Sequence, residues 1–255
     1  MAGLSVPILV LLALLGLLGG VGITAIGPGG VLPTIGLFAL TGLAPAQIAG
    51  TAIVTHIATG ALGTAAYVRS GQLRQAPTRR IAVLLAGIAV VGTPVGVLVN
   101  TLVSKRLFGI VLGVLVGVVA AIVMYRERRP APGDGQGHPP VPLLIGVGLG
   151  VSIAAGIVGI GGPMLAVPLL VAIGVPVLES LAAAQAQSIV VAGVGTIAYL
   201  LHGDIDWPLA ALVGVPELAG VLIGWRIARA LPTRQLKYAL VVALFLLAPY
   251  LALRG

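Results

Sequence analysis

Apolar runs of membrane-crossing length follow one another along this chain, separated by short links. A helix needs about 20 residues to cross the hydrocarbon core of a bilayer. Ten segments read as apolar, at roughly 5–24, 31–44, 46–68, 79–102, 106–125, 141–158, 161–176, 180–201, 207–226 and 235–253. The runs do not alternate polar with apolar, which excludes the strands of a transmembrane β-barrel. Charged residues make up 8% of the chain, against about 25% in a soluble domain, and the mean hydropathy is +1.18. So few charges cannot cover a soluble globule of this size. The expected fold class is an all-α polytopic membrane protein of about ten segments.

The net charge of +8 does not point to nucleic acid, because most Lys and Arg fall between apolar runs, where the positive-inside rule places them. Arg69, Arg74, Arg79 and Arg80 surround the link after the third segment. Arg126, Arg128 and Arg129 follow the fifth, and Arg226, Arg229, Arg234 and Lys237 surround the link after the ninth. Asp204 and Asp206 follow the eighth with no basic neighbour. If every segment changes sides, the three basic clusters share one face, which should be cytoplasmic, and both termini lie outside. Lys105 and Arg106 are the exception. The N-terminal run has no basic leader and no small-residue cleavage site, so it reads as a retained helix in the plasma (inner) membrane. There is no cysteine, hence no disulfide or thiolate metal site.

The stretch 126–140, "RERRPAPGDGQGHPP", is rich in Pro, Gly and charge and reads as a cytoplasmic linker between a first repeat, 1–125, and a second, 141–255. Its His138 reads as an inert loop histidine. Sliding the chain on itself by 132 residues superposes the two halves. Gly27, Gly29 and Gly30 fall on Gly159, Gly161 and Gly162, and "GTAAYVRSG" (63–71) falls on "GTIAYLLHG" (195–203). Each half holds five segments, an odd number, so the second half must enter the membrane from the opposite side. That arrangement is an inverted-topology repeat, a design associated with alternating-access transporters.

Each half is interrupted once by a glycine-rich break, "AIGPGGVLP" (25–33) and "GIGGPMLAVP" (159–168). Both precede a short segment that contains proline. A backbone break is costly in lipid unless it is buried in protein or lines a cavity. Pro163 suits the first turn of a helix, and the free N–H groups at a helix start attract anions. Gly27, Pro28, Gly29 and Gly30, with Gly159, Gly161, Gly162 and Pro163, are therefore candidate substrate-binding positions with two anion-attracting poles. The competing reading is that such glycines serve helix packing alone. Packing is also the reading for the small-xxx-small pairs Gly92/Gly96 and Gly220/Gly224.

Polar residues cluster at one depth. Thr51, Thr55 and Thr59 share one helix face, with His56 beside it. The repeat superposes Thr55 and His56 on Gln187 and Ser188, with Gln185 nearby. Thr51, Thr55, His56, Thr59, Gln185, Gln187 and Ser188 are therefore further candidate substrate-binding residues, the competing reading being that Thr and Ser bond back to their own helix and Gln joins neighbouring helices. An ionisable residue at membrane depth is a functional candidate. His56 is the first proton-coupling candidate because imidazole titrates near neutrality, and Glu217 is the second. No carboxylate stands in either break, and no nucleotide-binding loop, HExxH or GxSxG motif is present. Neither enzyme chemistry, a cofactor nor a metal is expected.

The two breaks, each after an apolar helix and each followed by a polar-containing helix ending in "GTxAYxxxG", resemble the sulfite exporter TauE/SafE family, also called the DUF81 or TSUP group. The likeness covers nearly the whole chain. The first break departs from the family pattern, with Pro28 inside it and Pro33 closer than Pro168. The resemblance implies secondary transport of sulfite, thiosulfate, sulfoacetate or a related sulfonate. The residues themselves reach only a transporter with a small-anion site, driven by the proton gradient or the membrane potential. The expected partners are a small anionic substrate and the lipid bilayer, with a homo-oligomer left open and nucleic acid excluded. Alternatives are a carrier of another small anion or of a cation, or a membrane scaffold without substrate.

Overall fold

A computed structural model describes residues 4–25, 27–127 and 139–230. The tenth apolar segment, Arg128, Arg129, Arg234, Lys237, His138 and most of the 126–140 linker lie outside the described residues. The described chain is helical: α1 (Val6–Ala25), a 3-10 turn (Pro28–Val31), α2 (Leu32–Leu40), α3 (Pro45–Arg69), a second 3-10 turn (Gln72–Arg74), α4 (Ala76–Asn100), α5 (Lys105–Glu127), α6 (Val141–Val158), α7 (Pro163–Ala172), α8 (Val177–Leu201) and α9 (Trp207–Ala230). Seven of these are long and apolar enough to cross a membrane. The other two, α2 with 9 residues and α7 with 10, reach only about 15 Å at 1.5 Å per residue, half a hydrocarbon core.

Local signals explain most helix ends. Proline occupies one of the first two positions of α2, α3, α4, α6 and α7, where its missing N–H has no intrahelical partner to lose. Asp206 caps α9, its Oδ1 accepting the Leu209 N–H at 3.0 Å. The glycines that close the two "GTxAYxxxG" phrases, Gly71 and Gly203, both have positive φ, 94° and 74°.

The helices α3 and α8 have 25 residues each, and both ends of α8 stand 132 positions after those of α3. They pack antiparallel: Gly50 meets Tyr199, Gly60 meets Ser188 and Ile189, and Gly63 meets Gln185. The pairs α1–α9 and α4–α6 are parallel instead. Gly16 lies on Val213 and Gly20 on Glu217, while Gly92 lies on Ser152 and Gly96 on Gly156. At Gly96, Gly220 and Gly224 an added Cβ would collide with the backbone of the facing helix, so these small-xxx-small positions set close helix approach.

The 3-10 turn and α2 fold back along α1. Gly29 packs on Gly22, and Gly36 packs on Leu15 and Leu12. The perimeter is apolar, with Val10, Leu14, Leu18, Val83, Val90, Leu98, Ile197, Val215 and Leu222 exposed. The polar side chains sit inside, Thr51, Thr55, His56, Thr59, Gln185, Gln187, Ser188 and Glu217 all being buried. A soluble domain inverts this distribution, and lipid requires it. Lys105, the exception to the charge pattern, stands 6.0 Å from the centroid of the Phe38 ring, and Phe38 packs on Phe108 at 5.8 Å between centroids. A cation over an aromatic face gives Lys105 a local reason to be there.

Candidate functional site

The described residues of both glycine breaks are buried in protein, and each break holds a glycine at positive φ. Gly159, which caps α6, is left-handed at φ 69° and ψ 35°, and Gly27, which precedes the 3-10 turn, has φ 102° and ψ −56°; L side chains rarely adopt either conformation. After that the two diverge. The first break continues through the 3-10 turn, with the Leu32 N–H donating to the Gly29 carbonyl. The second passes directly into α7, whose first ladder bond is Ala166 N–H to Gly162 C=O at 2.9 Å. The Met164 and Leu165 donors precede that bond, as the first N–H groups of any helix do. The departure read at Pro28 and Pro33 thus appears as a different turn.

Each break touches the opposite half. A Cβ at Gly27 would stand 3.2 Å from the Val167 side chain of α7. Gly159 packs against the Ala49 backbone of α3, and the Thr34 hydroxyl of α2 donates to the Gly159 carbonyl at 3.3 Å.

His56 lies between the breaks. A Cβ at Gly30 would be 3.3 Å from His56 Cε1, and one at Gly161 would be 3.2 Å from His56 Cγ and from Ser188 Oγ. Gly162 faces α8, with Gln187 Oε1 at 3.5 Å by the same measure. From α9, Glu217 brings its Oε1 to 3.3 Å from His56 Nδ1. Sequence alone gave Glu217 no partner and left the breaks without a carboxylate. Tertiary packing supplies the partner, because α9 delivers Glu217 to His56, which itself touches both breaks. Both side chains are almost completely buried, at 1% and 0% exposure. The contact lies within ion-pair range without hydrogen-bond alignment, and His56 Nε2 and Glu217 Oε2 have no hydrogen-bond partner.

Not every candidate residue joins this cluster. Thr55 and Thr59 donate to their own helix, at Ala52 C=O (2.9 Å) and Thr55 C=O (3.3 Å), as the local alternative expected. Thr51 accepts the Asp206 N–H at 2.9 Å and ties α3 to the start of α9. Gly29 is taken up by Gly22, and Gln185 lies against Gly63. The Gln187 amide donates to Ser152 Oγ at 3.3 Å, leaving its own Oε1 unpartnered. Thr34 and Ser152 escaped notice in the sequence, where a single Thr or Ser in an apolar run carries no distinguishing signal. A surface groove between the starts of α4 and α6, lined by Ala76, Arg79, Arg80, Val83, Leu84 and Val141, lies apart from all of these residues. Among the described residues, no group of His, Asp and Glu suited to a metal ion occurs.

No curated protein and no solved structure matches the chain. The family model described as sulfite exporter TauE/SafE matches residues 12–251, a span that includes both glycine breaks, His56 and Glu217. A buried polar centre inside seven long apolar helices, covered almost end to end by that match, places this multi-pass membrane transport protein in the sulfite exporter TauE/SafE family.

Proposed function

We propose that the chain is a secondary transporter of a small sulfur oxyanion (sulfite, thiosulfate, sulfoacetate or a related sulfonate) coupled to protons at His56, and not an enzyme. The observation that carries this reading is His56, lodged between Gly30 and Gly161 and paired with Glu217 on its other contact. Gly161, just before the start of α7, stands against His56, and helix starts favour negative charge. His56 Nε2, Gln187 and Ser188 supply neutral or protonatable groups to the same place.

Charge counting gives the coupling. With one proton shared, His56 and Glu217 have no net charge. A second proton makes the pair positive, and a singly charged anion restores neutrality. An uncompensated charge at such a site costs several kcal/mol, so anion and proton enter together. The antiparallel packing of repeat-equivalent α3 and α8, and the matching parallel pairs α1–α9 and α4–α6, support an inverted repeat of residues 1–125 and 141–255. The orientation with the linker cytoplasmic and the termini outside, in the plasma membrane, rests on the arginine clusters.

Flux into proteoliposomes tests the function. An inward proton gradient is expected to accelerate uptake of at least one of these anions. His56→Gln should lower that flux at least about tenfold and remove its pH dependence. Glu217→Gln should lower the flux less than His56→Gln does and leave a pH dependence in place. Glu217 beside His56 also fits a cation carrier, for which the two variants would exchange roles. Silence across the whole anion panel would leave a scaffold without substrate.

A further inference from the structure

One contact is made twice in this molecule with different chemistry. Gly63 of α3 receives Gln185 of α8, and a Cβ at Gly63 would lie 2.7 Å from both Cδ and Oε1 of that glutamine. Gly195 of α8 receives Ile53 of α3 in the same manner. Positions 63 and 195, like 53 and 185, are related by the 132-residue shift. The two contacts lie on opposite sides of His56. Along α3, Gly63 falls between His56 and the end that carries Arg69, whereas Ile53 falls towards Pro45.

Gln185 is completely buried, and neither its amide nitrogen nor its amide oxygen has a partner. Leaving a buried polar group unsatisfied costs on the order of 1–3 kcal/mol, and isoleucine fills the equivalent position without that penalty. Packing therefore does not call for an amide here. The hydroxyls of Thr64 and its counterpart Thr196 are both unpartnered, so the amide is what distinguishes the two sides.

We propose that Gln185 forms a second station for the transported oxyanion, between the His56–Glu217 pair and the arginine-bearing end of α3, and that Ile53 closes the equivalent route on the other side. The proposal rests on the oxyanion-transport reading above. A neutral amide donates N–H groups to the anion without the charge that would trap it, as a transit site requires.

The chain has no cysteine, so single-cysteine variants report without background. Gln185→Cys and Ile53→Cys, each checked for a monodisperse profile in detergent, are labelled with a sulfonate-bearing methanethiosulfonate, itself a small anion. Gln185→Cys is expected to react at least about tenfold faster than Ile53→Cys. Equal or reversed rates overturn the proposal. In proteoliposomes, Gln185→Leu should lower oxyanion flux about tenfold, and flux at the wild-type rate overturns it as well. Absence of flux in the wild type would remove the transport reading, while the labelling ratio would still decide whether this side is the open one.

Discussion

The two glycine breaks begin alike and are held differently. Both turn on a positive-φ glycine, Gly27 and Gly159, and both precede a short proline-bearing helix. Gly159 is clamped by backbone, with Ala49 against it and Thr34 donating to its carbonyl. The atoms nearest a Cβ at Gly27 belong to the side chain of Val167. The position before the turn is therefore constrained by dihedral angle in both halves, and by close backbone approach in one. Two similar glycine phrases share a positive-φ turn, and the surroundings decide how rigidly each is held.

The largest expected effect separates these causes. Gly159→Ala combines left-handed strain with overlap on Ala49 and should destabilise by on the order of 4 kcal/mol. Gly27→Ala adds strain against a side chain that can shift, and should lose about 2 kcal/mol. Unfolding of both variants in mixed micelles measures the difference, and equal losses would show that dihedral strain alone governs both bends.

A smaller effect compares the "GTxAYxxxG" tyrosines. The Tyr199 hydroxyl donates to the Gly156 carbonyl at 2.6 Å, whereas Tyr67 makes no hydrogen bond among the described residues. Tyr199→Phe should cost about 1 kcal/mol, and Tyr67→Phe should stay within about 0.5 kcal/mol. A loss at Tyr67 as large as at Tyr199 would mean that both ends are tied alike. A comparably small change is expected for Thr34→Val, about 1 kcal/mol or less for a single long bond to Gly159. Its counterpart, Ala166, already lacks a hydroxyl. A stability equal to wild type would show that Ala49 alone holds the second break.

The same contrast shows how far sequence reaches. The third segment reads as 46–68 and is observed as Pro45–Arg69, and the sixth coincides with Val141–Val158. The second segment reads as 31–44, but its helix ends at Leu40. Thr41 turns into extended backbone there, a local event inside an apolar run that hydropathy does not mark. His56, Gln187 and Ser188 are legible as polar residues at membrane depth, and they do converge. Gln185, on the same grounds, faces α3 at Gly63 instead, because two residues along a helix turn a side chain through more than half a revolution.

Hydropathy and the placement of proline and glycine determined by themselves that this chain is a bundle of apolar helices with two glycine-rich breaks, since each of these signals acts within a turn or two of backbone. Only the tertiary structure decided that Glu217 faces His56, that Thr34 secures Gly159, and that Gln185 and Ile53 occupy equivalent places on opposite sides of the centre. Those pairings depend on how helices distant in sequence rotate and cross, which is set by close approach at residues such as Gly20, Gly63 and Gly195 rather than by any local pattern.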